Sequence, residues 1–200
     1  EENWVLDPSA KTNPAHGCNP YDRPLGELLE CGVILIDKPP GPTSHQLTAW
    51  ARNLLGISRI GHGGTLDPFA TGLLTLLCGR ATRLTAVLLQ KPKRYIAVLR
   101  FKDEVDKDRL SGLLDSLTGT TYNVPPKESA VKVQVRTRVI RLAKLIDADY
   151  VNRVFVVAFH CDAGTYVRTL AKDMGLLMGT GCELLELHRD GSGGFDDSMA

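Results

Sequence analysis

Cysteine is scarce and poorly spaced for structural chemistry: the 200 residues hold five, at positions 18, 31, 78, 161 and 182, with no short CxxC pair. A disulfide framework and a zinc finger both lack their pattern, so free thiols, mostly in the core, are expected. Long apolar runs are missing too. The longest, such as Gly72 to Cys78 and Val154 to Phe159, fall far short of the roughly 20 residues of a membrane span. No charged-then-apolar leader opens the chain, which gives the expectation of a soluble, intracellular protein with no membrane partner. With 43% hydrophobic and 24% charged residues the chain suits a globular domain with a sizeable core, and disorder, collagen and coiled coil are excluded.

Net charge is nearly absent at +1, but that figure sums opposed blocks. Residues 1–30 carry six acids against Lys11 and Arg23, whereas residues 80–100 carry Arg80, Arg83, Lys91, Lys93, Arg94 and Arg100 with no acid. Residues 127–144 carry Lys127, Lys132, Arg136, Arg138, Arg141 and Lys144 against Glu128 alone. Two basic blocks in a neutral chain suggest a face for a polyanion; charge alone fits an ordinary solvated face equally well.

Four prolines in the first 25 residues and little periodicity predict an extended arm rather than a helix over 1–31, with order beginning at Gly32. Strands are expected over Val33–Ile36, Gly72–Cys78, Tyr95–Phe101, Val139–Leu145, Val151–His160 and Cys182–His188. Helices are expected from a Thr43 or Ser44 cap to Gly56, over Ala81–Leu89 and Glu104–Leu117, and over 166–177 with Thr165 as cap. Segments 61–68 and 124–130 read as loops. Hairpin-like strand runs with interspersed helices predict an α+β fold with a mixed, mainly antiparallel sheet flanked by helices.

The most unusual segment is GHGGTLDPFATG at 61–72. Its glycines let backbone approach a ligand and Pro68 stiffens the chain after Asp67, giving a rigid loop that presents one carboxylate. A turn or cap role for Asp67 is the plainer alternative. The spacing is neither GxxxxGK[ST] nor GxGxxG, so a nucleotide-phosphate cradle lacks its motif, and no His, Cys or carboxylate cluster has metal spacing.

That loop, with GVILIDKPPGPTSH at 32–45, KRY at 93–95 and AGTYVRTLAKDMG at 163–175, resembles the TruB and dyskerin family of RNA pseudouridine synthases over about residues 10–195. The segments KTNPAHGCNPYDRPLGELLECG and PPKESAVKVQVRTR are more similar to the dyskerin branch, whose members work in box H/ACA ribonucleoproteins. The resemblance implies a catalytic domain over 32–200, without the PUA domain that dyskerin-type proteins usually carry. It also implies RNA as substrate, H/ACA guide RNA and small accessory proteins as partners, no cofactor, and a cytoplasmic or, in a eukaryote, nucleolar location.

Roles follow by resemblance. Asp67 matches the catalytic aspartate, nucleophile toward the target uridine; an activated carboxylate can form such an intermediate unaided. Tyr95 matches the tyrosine that stacks on the flipped base, though alone it reads as a core or edge residue. Arg168 matches the arginine that pairs with the aspartate; its alternative is a solvated helix arginine, yet a cation in a first helical turn is poorly placed against the dipole. Tyr166 and Leu187 match the uracil-pocket lining, and His62 a contact to the flipped-out nucleotide. Lys38 and His45 are read as structural or backbone-positioning.

Arg80, Arg83, Lys93, Lys127, Lys132, Arg136 and Arg138 become candidate RNA contacts, the last four on the family's thumb loop. Extruding a uridine costs a few kcal/mol that such contacts must supply. The family commonly shows an arginine-rich run after the pocket leucine; here Leu187 is followed by His188, Arg189, Asp190 and Gly191, which implies weaker phosphate contacts. A stand-alone tRNA T-loop synthase and a non-catalytic RNA-binding subunit are the competing readings.

Overall fold

A computed structural model of the chain describes residues 7–11, 13, 15–124 and 134–200. Its frame is a nine-stranded sheet comprising β1 (Val33–Lys38), β2 (Ile60–His62), β3 (Thr71–Cys78), β4 (Lys93–Phe101), β5 (Gly119–Asn123), β6 (Arg136–Asp149), β7 (Val154–Cys161), β8 (Cys182–Ser192) and β9 (Phe195–Asp196). The main order is β1-β3-β8-β4-β7-β6-β5, with β2 on β3 and β9 on β8. Every pairing is antiparallel except β3 with β8, where only Thr71 meets His188 and Gly72 meets Arg189. The expected mixed, mainly antiparallel sheet is therefore present, and β6 and β7 form the expected hairpin.

Helices α4 (Lys107–Leu117) and α5 (Val167–Met178) cover one face. From α4 come Leu110, Leu113, Leu114 and Leu117, and from α5 Val167, Leu170, Ala171, Met174 and Met178, the spacing of a single helical stripe. They meet Ala97, Leu99 and Phe101 of β4 and Phe155, Val157, Phe159 and Cys161 of β7 in one core. Gly175 is what lets α5 lie this close, because a Cβ there would stand 2.4 Å from the backbone nitrogen of Cys182. Strand β7 does alternate, but in burial rather than polarity, since both its faces are apolar. In β3 the alternation disappears altogether: Leu73, Leu74, Leu76 and Leu77 are all fully buried, as a strand covered on both sides requires.

Helix α2 (Ser44–Leu55) begins on a reciprocal capping box. The Thr43 hydroxyl accepts from the Gln46 amide at 3.1 Å, and the Gln46 side chain accepts from the Thr43 amide at 2.8 Å. Gly56 ends the helix in the left-handed region at φ 64°.

Several expectations change. The arm is not wholly extended: a 3₁₀ turn at Pro20–Asp22, capped by Asn19, leads into α1 (Leu25–Glu30), which buries no residue. Residues 81–89 split into a 3₁₀ helix (Gly79–Leu84) and α3 (Thr85–Leu89). Strand β5 lies where no strand was expected, and β2 enters the loop read from Gly61. Thr165 does not cap α5; its hydroxyl donates back to the Asp162 carbonyl at 2.8 Å, and Tyr166 holds the cap position. Of the cysteines, Cys18 and Cys31 are exposed rather than core. Among the described residues, no helix is long and apolar enough to cross a membrane.

Candidate active site

The segment between β2 and β3 has no regular structure, so its shape depends on groups that grip its carbonyls from outside. Lys38, at the end of β1, is fully buried, and its ammonium donates to the carbonyls of Pro39 at 3.0 Å, Pro68 at 3.0 Å and Ala70 at 2.7 Å. Burial pulls its pKa down, while Asp67 pulls the other way. Ser44 clasps Leu66 twice, its hydroxyl accepting from the Leu66 amide at 2.9 Å and donating to the Leu66 carbonyl at 3.2 Å. Arg189, only 2% exposed, donates through Nε to the Leu73 carbonyl at 2.8 Å, through Nη2 to Gly64 at 3.0 Å and through Nη1 to Thr65 at 3.4 Å. Gly72 closes the loop at φ 95°, where a Cβ would stand 2.4 Å from the Arg189 carbonyl oxygen.

The loop so held carries Asp67 at its tip. Oδ2 lies 2.7 Å from Nη2 of Arg168, with 43% of the aspartate side chain and 32% of the arginine side chain exposed, so the pair sits at a solvent-facing mouth. The guanidinium also lies over Phe69, 5.6 Å from the ring centroid. The unfavourable placement of a cation in the first turn of α5 is thus answered by a carboxylate and an aromatic face from the loop.

Tyr95 rises from β4 beside them, half-buried against the core. Burial raises its phenol pKa; the neighbouring Arg189 guanidinium, which shares a hydrogen bond with it, opposes that rise. Leu187, buried on β8, faces Ala97 of β4. Tyr166 is half-buried at the start of α5, its amide donating to the Asn123 carboxamide oxygen at 3.0 Å. His62 ends β2 and meets His45 edge-on at 4.9 Å, and burial lowers its pKa, helped by His45 and Arg189.

The cationic candidates divide. Arg80 and Arg83 are exposed, Arg80 lying 4.0 Å from Glu30. Arg136 and Arg138 on β6 are half-buried, and the Arg138 guanidinium lies against Gly164. Lys93 is not on the surface: at 5% exposure it donates to the carbonyls of Leu88 at 2.8 Å and Lys91 at 2.7 Å. Burial, with Arg189 second, brings its pKa down to about 8. Lys127 and Lys132 lie outside the described residues.

The largest omission of the sequence reading is Arg189, taken with its neighbours as part of a weakened phosphate-binding run. It is a buried clamp on the Asp67 loop. Its position two residues beyond Leu187 on the same strand places both on one face, so the inward direction was available from strand periodicity. Among the described residues no group of three or more His, Cys, Asp or Glu side chains converges as a metal site.

The chain is similar to known proteins in both sequence and fold. Residues 52–167 match the N-terminal domain of TruB family pseudouridylate synthases, and residues 2–48 match the DKCLD domain. A protein of Methanothermobacter thermautotrophicus named Probable tRNA pseudouridine synthase B is 40% identical over 195 residues, 98% of this chain and 60% of that protein. One of the same name from Methanopyrus kandleri is 36% identical over 200 residues, 100% of this chain and 59% of that protein. The chain thus spans about three-fifths of the length of these relatives. Among solved structures, a Cbf5-Nop10-Gar1 complex superposes with a TM-score of 0.87 at 37% identity over 96% of this chain and 57% of that one. An H/ACA RNP bound to a substrate RNA containing 2'-deoxyuridine gives 0.86 at 34% identity, over 97% of this chain and 57% of that one. With the domain match covering more than half its length and the Asp67 loop folded as described, this chain belongs to the TruB family of pseudouridylate synthases.

Proposed function

We propose that this protein isomerises uridine to pseudouridine in ribosomal or transfer RNA, directed by a box H/ACA guide RNA and assisted by small accessory proteins. The observation that carries the reading is the Asp67–Arg168 pair at 2.7 Å on a rigid loop open to solvent. The guanidinium aims the carboxylate and holds it at the mouth, as a nucleophile needs. In the reaction Asp67 bonds to the target nucleotide, at its ribose or its base, and the N1–C1' bond breaks; once the uracil has turned, a C5–C1' bond forms, the bond to Asp67 is released, the C5 proton leaves and N1 gains one. No electrons are exchanged overall, so the chemistry calls for no redox cofactor. Tyr95 stacks on the turning base near C5, Tyr166 and Leu187 wall it, His62 contacts the extruded nucleotide, and the exposed Arg80 and Arg83 meet phosphates.

Residues 32–200 act as the catalytic unit and residues 1–31 as an arm, consistent with α1 burying nothing. The likeness to an H/ACA RNP and to a Cbf5-Nop10-Gar1 complex supports guided action. The relatives' name, tRNA pseudouridine synthase B, supports a second reading in which the chain modifies tRNA without a guide. Either activity belongs where RNA matures, the cytoplasm or, in a eukaryote, the nucleolus.

Tritium release from RNA labelled at uridine C5 separates these readings. Release by the chain alone on a T-arm stem-loop means a self-sufficient tRNA enzyme; release only with guide RNA and accessory proteins means a ribonucleoprotein subunit. Asp67→Asn abolishes release in both cases while RNA binding persists. An active Asp67→Asn protein refutes the mechanism.

A further inference from the structure

Arg168 has a second side. Beyond the face that meets Asp67 lies a cleft of about 480 Å³ lined by Phe69, Arg168, Lys172, Cys182, Glu183, Leu184 and Leu185. Three elements build it: the tip of the Asp67 loop, the outer face of α5 and the start of β8. Arg168 and Lys172 are four residues apart on α5 and therefore share a face. Phe69 is 36% exposed, and Leu184 and Leu185 are half-buried, so the walls offer apolar surface to whatever enters. The one acid at the rim, Glu183, is engaged by Arg100 at 3.0 Å. Its charge is answered there, which leaves the Lys172 ammonium to set the sign of the cleft.

An aromatic edge, a guanidinium plane, two leucines and an amine suit a flat base joined to a phosphate. Aromatic rings and guanidinium planes both serve as stacking platforms for unpaired bases. The cleft shares Arg168 with the catalytic pair and begins two residues beyond Asp67. A nucleotide covalently joined to the reacting uridine has no freedom to lie far from it. We propose that this cleft is a subsite for the nucleotide adjoining the target uridine, with its base against Phe69 and Leu185 and its phosphate on Lys172. The assignment rests on the reading of Asp67 as facing RNA, and it makes the cleft a determinant of sequence context, since flanking contacts set such preferences in enzymes that act on extruded bases.

The test measures equilibrium affinity of the chain, together with guide RNA and accessory proteins, for three substrate RNAs: one intact, one abasic on the 5' side of the target uridine, and one abasic on the 3' side. One of the two abasic RNAs binds about ten-fold more weakly than the intact RNA, the loss of one stacked base. Lys172→Glu, a change at an exposed position, weakens all three, and Leu185→Asp erases the difference between intact and abasic RNA. The proposal is overturned if both abasic RNAs bind within two-fold of the intact one. It is equally overturned if Lys172→Glu leaves every affinity unchanged, or if accessory protein rather than RNA shields Lys172 from acetylation. Tritium release on the intact RNA in the same mixture keeps the two readings apart: release without discrimination removes the subsite alone, and discrimination without release removes the catalytic reading alone.

Discussion

Replacing Arg189 by methionine tests the claim that a buried cation, and not the loop's own sequence, holds Asp67 in place. The native side chain makes three bonds to carbonyls, those of Leu73, Gly64 and Thr65, at 2.8, 3.0 and 3.4 Å. At about 1.5 kcal/mol each for charged donors, losing them costs about 4–5 kcal/mol. Methionine retains the apolar stem and removes a charge whose burial itself costs a few kcal/mol. The net destabilisation is therefore about 2–3 kcal/mol, which for a chain of this size lowers the melting temperature by about 5–10 °C. Catalysis suffers more than stability, because Gly64 and Thr65 lead directly to Asp67 and the Tyr95 hydroxyl loses its partner. Thermal unfolding followed by circular dichroism gives the first quantity and single-turnover tritium release the second. A variant that melts within 1 °C of the native chain and turns over at the native rate refutes the clamp.

Thr43→Ala, which deletes one arm of the capping box, costs about 1 kcal/mol in urea unfolding with little effect on turnover at saturating RNA. Gly72→Ala puts a methyl group against the Arg189 backbone at a positive φ and costs about 3 kcal/mol or more by the same measurement, with loss of activity. For Lys93, the folded pKa of about 8 lies below the ordinary 10.5, so between these values the unfolded chain holds the proton and the folded chain does not. Stability contributed through this group therefore rises with pH from about 8 to about 10.5. The comparison of native and Lys93→Met urea midpoints isolates it, since burial pushes the thiols of Cys161 and Cys182 up to about 11 and about 12 and these act in the opposite sense above pH 9. A difference between the two proteins that does not change from pH 7.5 to 9.5 refutes the assignment.

Much of this architecture was legible where local chemistry and tertiary fate coincide. The Thr43 cap, the stripe of α5 and the apolar run of β3 announce themselves because each buries what its periodicity presents. Strand β5 was hidden because it is only five residues long and is bounded by Gly119 and Asn123, both disfavoured in strands, so that pairing with β6 selects it. The arm's prolines concealed α1, which starts immediately after Pro24. At the site, glycines and Pro68 disclosed a rigid loop around Asp67, but nothing local reveals who holds it: Lys38, Ser44 and Arg189 lie 30, 22 and 125 residues from their loop acceptors Pro68, Leu66 and Gly64. A charged residue in a strand reads as surface until the strand's neighbours are known, and the same error put Lys93 among the surface cations.

The two-residue parallel contact between β3 and β8 joins two antiparallel half-sheets. One carries Asp67 and the other carries Tyr95 and Leu187, and the partners in the contact are more than 100 residues apart along the chain. Within the second half β6 and β7 form a hairpin, but β4 meets β7 and β8 only across long stretches of chain, and the union of the halves adds a further closure of the same kind. The proposed catalytic constellation therefore belongs to neither half and is complete only once the two have joined. Slow formation of the site is the kinetic signature that so many non-local pairings impose.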